Sequence, residues 1–450
     1  MSDLPRGWVK ASGDDLFSSV RGVTYSKSDS SHTPGNGLVP ILRANNIVGG
    51  GITTDDLVFV PAKCVSPEQN LQDGDLLIAS SSGSRTVVGK AATASDDDRI
   101  YAFGAFCTVA RPRTGDLGRW LAAYSRSRAY RDYVEKVALG ISINNLRGSD
   151  LKAIPIPVAP LREQRRIVAK IDSLTGKSRR ARDHLDHIPR LVEKYKQAIL
   201  AAAFRGDLTR EWREGRSLAA TRSVLLGEVA EGFNYGSAAK SAKQGRVPVL
   251  RMGNIQDGKL DWADLVFTDD AAEIAKYRLK NGDVLFNRTN SPALVGKTAL
   301  FTGKREAIYA GYLIKVRCKP QLLPAFLTYC LNAPNGRAYS WEVKTDGVSQ
   351  SNINAKKLAA FRFDLPSVQE QEEIVRRIER ALSWINRVTV DATSARKLID
   401  HLDNSVLAKA FRGELVPQDP ADEPASALLD RIREERAAAP KAKRGRKKAA

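Results

Sequence analysis

Leu161-Arg162-Glu163-Gln164-Arg165-Arg166-Ile167-Val168 opens a stretch that closes Ala203-Phe204-Arg205-Gly206-Asp207-Leu208. Val368-Gln369-Glu370-Gln371-Glu372-Glu373-Ile374-Val375 opens a second that closes Ala410-Phe411-Arg412-Gly413-Glu414-Leu415. The Glu-Gln pairs, the Ile-Val pairs and the Phe-Arg-Gly exits all stand at one offset (370 − 163 = 207, 374 − 167 = 207, 411 − 204 = 207). Between them Ile167, Ile171, Leu174, Ser178, Ala181, Leu185, Ile188, Val192, Tyr195, Ile199 and Ala202 advance by fours and threes. Ile374, Ile378, Ala381, Ile385, Val388, Ala392, Ala395, Ile399, Leu402 and Val406 do the same. A sustained 4-3 spacing of mostly apolar residues on a charged background predicts a coiled-coil seam. At about 1.5 Å per residue, each helix spans roughly 60 Å. Pro189 predicts a kink without a break in the first helix, and Gly206 and Gly413 stand where helix-ending glycines belong.

The duplication extends upstream of each helix. Val39-Pro40-Ile41-Leu42-Arg43-Ala44-Asn45-Asn46-Ile47 matches Val247-Pro248-Val249-Leu250-Arg251-Met252-Gly253-Asn254-Ile255, and Gly74-Asp75-Leu76-Leu77 matches Gly282-Asp283-Val284-Leu285. Val88-Gly89-Lys90 matches Val295-Gly296-Lys297, and Gly140-Ile141-Ser142 matches Gly347-Val348-Ser349. The unit is therefore a globular domain followed by a long helix, written twice. The expected boundaries are residues 1–160, first domain; 161–208, first helix; 209–366, second domain; 367–415, second helix; and 416–450, a short helix with a basic tail. The domains read as α+β: Leu76–Ile78, Thr86–Val88 and Phe106–Val109 as strands, Leu117–Val137 as one helix or two. For both helices to bury their seams on each other they must run antiparallel, which places two similar domains at opposite ends of a two-helix strut with a pseudo-twofold internal repeat.

Charge narrows the function. Lys and Arg outnumber Asp and Glu by 71 to 51, a net charge of +20, and a surplus of that size suggests a polyanionic partner, most simply nucleic acid. Six of the basic residues lie in the tail between Lys441 and Lys448, which leaves +14 for the rest. Cys64, Cys107, Cys318 and Cys330 form no CxxC spacing and read as reduced core thiols. No signal peptide and no run of 18 apolar residues is seen, so the expected location is cytoplasmic, with no membrane partner.

Chemistry-bearing motifs are few. Ser291-Pro-Ala-Leu-Val-Gly296-Lys297-Thr298 resembles a phosphate loop, but its first glycine is missing and the matching Ser84-Arg-Thr-Val-Val-Gly89-Lys90-Ala91 lacks the hydroxyl as well. His184 and His187 have a ligand-like spacing, yet Asp391 and Ser394 stand in the second copy, so both read as solvated helix residues and no metal site is expected. Polar loop residues remain as candidates for DNA contact. Ser82, Ser84 and Arg85 lie in one loop and Asn287, Arg288 and Asn290 in its counterpart; Ser, Asn and Arg are side chains that hydrogen-bond base edges. Arg43, Asn46 and Lys90, with the identical Arg251, Asn254 and Lys297, are expected to serve a shared scaffold or shared phosphate contacts.

Taken together, the opening Leu4-Pro5-Arg6-Gly7-Trp8, the Gly-Asp-Leu/Val-Leu turns, the Glu-Gln helix openings, the Ala-Phe-Arg-Gly exits and the late Asp419–Asp430 segment resemble the specificity subunit of type I restriction–modification systems. The resemblance covers nearly the whole chain. It implies two target-recognition domains reading the halves of a gapped double-stranded DNA site. It also implies two modification subunits that methylate adenine N6 with S-adenosylmethionine, and restriction subunits that use ATP and Mg. No cofactor is then expected on this chain, which would be non-catalytic. The alternative is a paired-domain protein-interaction scaffold without base-specific DNA binding; a methyltransferase fused to its own recognition domains is disfavoured by the missing catalytic motifs.

Overall fold

The computed structural model describes residues 4–138 and 144–438. The basic tail and the Gly140–Ser142 match lie outside them. The chain divides into two compact units, Met1–His184 with Ala395–Ala450, and Leu185–Ser394, so the division falls inside each long helix.

In the first unit, an antiparallel four-stranded sheet takes the order Phe17–Arg21, Cys107–Pro112, Leu76–Ala79, Ala91–Thr93. A second sheet pairs Leu38–Leu42 antiparallel with Val58–Pro61 and parallel with Ala102–Phe103. Strand residues alternate between faces, and here both faces are covered. Leu76 and Ile78 join a core with Trp120, Ile167 and Phe411, while Leu77 and Ala79 pack with Leu42, Cys107 and Val109. Trp120 stacks edge-on against both Trp8 and Phe411, and the C-terminal helix Ala425–Ala438 adds Leu428, Leu429 and Ile432 to the same core.

The second unit repeats this topology strand for strand. Its four-stranded sheet runs Ala230–Tyr235, Leu313–Cys318, Val284–Asn287, Thr298–Leu300, and Val247–Leu250 sits between Val266–Thr268 and Ile308–Tyr309. Val284 and Phe286 face Leu200, Phe326, Ile374 and Ile378; Leu285 faces Leu250 and Ile255. Leu117–Val137 proves to be two helices, Gly115–Ser125 and Arg128–Val137, echoed by Pro324–Asn332 and Pro334–Val343.

The long helices run Leu161–Phe204, unbroken through Pro189, and Val368–Ala410. Within the first unit Arg166 reaches Asp422 while Arg182, further along its helix, reaches back to Asp400 and Asp403. One helix therefore ascends as the other descends. In the second unit Leu200 and Ala203 pack with Ile374 and Ile378, in the same antiparallel sense. Both helices end on left-handed glycines, Gly206 at φ 82° and Gly413 at φ 73°, a conformation that a Cβ makes costly. Lys409, the polar interruption of the seam, is exposed, and Val406, Leu407 and Ala410 carry the packing around it. Tyr195 and Leu402 are the seam positions left mainly in solvent.

The Glu-Gln openings have a physical role. Gln164 donates to the carbonyl of Ala159 and Gln371 to that of Pro366, each five residues back, which fixes the angle at which the helix leaves its domain. The paired glutamates are buried and bonded: Trp8 Nε1 donates to Glu163 and Thr209 Oγ1 to Glu370. Burial pushes the Glu163 carboxyl above the ordinary glutamate range, partly offset by the Trp8 bond.

Candidate nucleic-acid interface

The polar loops singled out in the sequence become short antiparallel ribbons at the end of each central sheet. Ser81–Ser82 pairs with Asn144–Asn145 in the first unit. Thr289–Asn290 pairs with Ser351–Asn352, which pairs in turn with Thr345–Asp346, in the second. A cross-strand side-chain bond recurs: Ser81 Oγ donates to Asn145 Oδ1 at 2.8 Å, and Asn352 Nδ2 donates to Thr289 Oγ1 at 2.8 Å.

These bonds correct the sequence register. At the offset of the Val-Gly-Lys match (295 − 88 = 207) Asn287 falls opposite Ser80, yet Gly89 donates to the carbonyl of Ala79 and Gly296 to that of Asn287. Likewise Ser80 donates to Phe106 and Arg288 to Tyr312. Asn287 therefore occupies the place of Ala79 and Arg288 that of Ser80 (287 − 79 = 208, 288 − 80 = 208). The missing residue falls in the following turn, residues 83–88 against 291–295.

Several candidates move accordingly. Asn287 is fully buried and neither its amide nitrogen nor its oxygen has a partner, as expected of an amide standing in an alanine's place; it cannot reach a base. Arg288 lies between the sheet strand and the ribbon, half-buried, with its guanidinium 4.7 Å from the Tyr235 ring centroid and bonded to Gly311 O and Asn352 Oδ1. Arg85 instead lies exposed on the turn after the first ribbon. Ser82 Oγ accepts from the backbone of Ser84, whose own hydroxyl meets Thr86, and the half-buried Asn290 accepts from Ser291 N. Lys90 is exposed; Lys297 is half-buried and donates to Gln256.

The matched scaffold residues close a loop. Asn46 and Asn254 are buried, each accepting from the backbone of Arg43 or Arg251 at 2.8 Å and donating to two carbonyls across the loop. Their amides are fully engaged inside the domain, which removes both from direct DNA contact. Arg43 pairs with Asp56 at 2.7 Å and Arg251 with Asp264 at 3.0 Å, identical roles in the two units.

Thr86–Val88, expected as a strand, is a turn. The Ser84 carbonyl accepts from Val87 and Val88, and Arg131 takes up the carbonyls of Arg85 and Val88. Arg337 does the same for Ala293 and Val295 in the second unit. The phosphate-loop lookalike is thus a turn pinned by an arginine, and its Thr298 hydroxyl is buried and donates to Gly296 O. The sequence reading overlooked Tyr235, Asn352 and Asp346. Asp346 bonds Ser351 and is held below the usual carboxylate range chiefly by Lys344. The Gly-x-Ser match, followed three residues further to Asn145 and Asn352, was the available signal.

Chemically, the ribbons offer hydroxyl, amide and guanidinium groups without an arranged nucleophile or base. Among the described residues no cluster of His, Cys, Asp and Glu could hold a metal, and no helix is long and apolar enough to cross a membrane. All four cysteines are free, and burial pushes the Cys107 and Cys318 thiols up to about 12.

Residues 5–184 and 223–389 match the family described as the type I restriction modification DNA specificity domain. The chain is 33% identical to the EcoKI specificity subunit of Escherichia coli K12 and 34% identical to the StySPI specificity subunit of Salmonella potsdam, with 99% of each chain covered. A chain from a solved type I R-M system assembly superposes with a TM-score of 0.70 at 21% identity, covering 92% of this chain and 100% of that one. The HsdS subunit from Thermoanaerobacter tengcongensis superposes with a TM-score of 0.58 at 20% identity, covering 92% and 99%. These two likenesses establish the fold.

Proposed function

The chain belongs to the type I restriction–modification DNA specificity family, and on that premise we propose that each unit reads one half of a bipartite double-stranded DNA site. Modification subunits, carrying S-adenosylmethionine, then methylate adenine N6 within the site, and restriction subunits supply ATP- and Mg-dependent translocation and cutting. This chain contributes recognition and no chemistry of its own, and it works in the cytoplasm.

The observation that carries the reading is the repeated ribbon. Both units project a hydrogen-bonding ribbon from the end of the same inner strand of the same sheet, with different side chains on it. A duplicated scaffold with divergent polar tips suits two different base sequences, and the net charge of +20 suits phosphate. Partner subunits would dock on the helices, where Leu191, Tyr195, Trp384 and Val390 in the second unit, and Leu398 and Leu402 in the first, hold large apolar side chains in solvent.

The test is methylation mapping of DNA exposed to the chain assembled with its modification subunits. The reading requires a two-part recognition sequence, altered in one half only when one ribbon is mutated. Methylation without sequence preference, or a complex that never engages DNA, would favour the protein-interaction scaffold.

A further inference from the structure

Phe106 is 68% exposed and Tyr312 is 47% exposed. Single exposed aromatics are unremarkable on any surface, but these two occupy one structural position. Each ends the turn that leads into the middle strand of its four-stranded sheet, Cys107–Pro112 or Leu313–Cys318. Each also fastens the start of its ribbon through the main chain. The Phe106 carbonyl accepts from Ser80 at 2.8 Å and Ser81 at 3.1 Å, and the Tyr312 carbonyl accepts from Arg288 at 3.0 Å. The residues just before them superpose as well, since Gly104 donates to Leu42 and Ala310 to Leu250, each at 2.9 Å. The same fold has therefore twice held a ring in water beside its polar ribbon, where the ring adds nothing to the core.

We propose that Phe106 and Tyr312 are specificity-determining residues, each laying its ring against a base edge in the half-site that its own unit reads. The inference rests on the DNA-reading function proposed above. Phe106 has no polar side-chain atom, so it has nothing to offer a phosphate or a base donor. Its partner is an apolar feature of the major groove, and the C5 methyl group of thymine is the one that the bases display there. Tyr312 supplies the same ring face with a hydroxyl that can also meet a base donor or acceptor. The neighbouring Ser81 and Arg288 give direction through hydrogen bonds, and the rings give apolar contact.

The experiment uses the full chain in its modification complex and a library of sites randomised at every position. Phe106→Ala should relax the preference at one thymine in one half-site by about fourfold, the value of withdrawing one methyl group from water, and leave the other half unchanged. Tyr312→Ala should relax one position in the opposite half. Replacing that first thymine by deoxyuridine should slow methylation by wild-type protein about fourfold and leave Phe106→Ala unaffected. Phe106→Leu, which keeps an apolar side chain, should preserve most of the preference and exposes any general folding defect in the alanine variant. An unchanged recognition map, relaxation at a position other than thymine, or relaxation in both halves at once overturns the assignment. If the wild-type complex shows no sequence preference, DNA reading itself fails; if the wild type discriminates and the variants discriminate equally, only the rings are excluded.

Discussion

The two ribbons are built on one backbone and finished differently. In the first unit the place next to the sheet holds a buried serine, Ser80, while Arg85 lies out on the turn and exposed. In the second unit that place holds Arg288, buttressed by Tyr235, Gly311 and Asn352 before any ligand arrives. The cross-strand bond behind each, Ser81 to Asn145 or Asn352 to Thr289, is kept. A guanidinium already fixed loses little freedom on binding, whereas an exposed one must be ordered at a cost of about 0.5–1.5 kcal/mol. The difference teaches that one backbone can hold a guanidinium rigidly beside the sheet, as at Arg288, or leave it free on the turn, as at Arg85.

The largest contrast should appear at the helix openings. The Gln371 amide donates to two carbonyls and accepts from Leu323, while Gln164 donates to Ala159 and leaves its oxygen buried without a partner. At about 1 kcal/mol net per bond, Gln371→Ala should lower stability by about 3 kcal/mol and Gln164→Ala by about 1 kcal/mol. Equal losses in denaturant unfolding would show that the two openings are mechanically equivalent after all.

Next comes the pair of arginines. Arg288→Ala should cost one half-site roughly 2 kcal/mol of discrimination, within the range for a well-placed base contact. Arg85→Ala should cost the other about 1 kcal/mol, since part of its gain goes into ordering the side chain. Methylation rates on single-mismatch sites measure both. A larger effect at Arg85 would reverse the rigid-versus-adaptable assignment.

Asn287 offers a sharper comparison because the molecule contains its own control, Ala79. Making the second unit like the first with Asn287→Ala removes a buried amide that lacks partners, and the protein should gain about 1 kcal/mol. A loss of stability in thermal unfolding would mean that the amide is satisfied in solution.

The smallest effect concerns pH at the start of the second helix. Hydrogen bonds from Arg376 and Arg377 hold the Glu373 carboxyl at about 2, well below the ordinary glutamate value. A depressed folded-state pKa adds stability above the unfolded value, and that stability is lost as pH falls from about 4.5 towards 2. Arg166 stands at the corresponding place in the first helix (373 − 166 = 207). Acid unfolding of Glu373→Gln should therefore be flatter over that window than that of the wild type, and identical curves would show the pairing to be inert.

Composition and spacing alone determined the duplication, the two long helices, their ends at Gly206 and Gly413 and the α+β character of the domains. These are periodic features, and a periodic hydrophobic pattern states which face must be buried without knowledge of what covers it. The candidate site was legible only as a region. Sequence leaves open whether Asn46 and Asn254 serve the scaffold or phosphate, and it puts Asn287 among the loop contacts although that side chain is buried, because a polar residue in a loop reads alike whether it caps a buried turn or faces solvent. The β-branched residues of Thr86–Val88 predict a strand, whereas Arg131 and the burial of Val88 decide for a turn. Only the tertiary structure settled the one-residue slip that sets Asn287 opposite Ala79 and Arg288 opposite Ser80. Strand register is fixed by hydrogen bonds between segments far apart in the chain, such as Leu146 to Ser80 and Ile353 to Arg288, and a local sequence pattern carries no record of such partners.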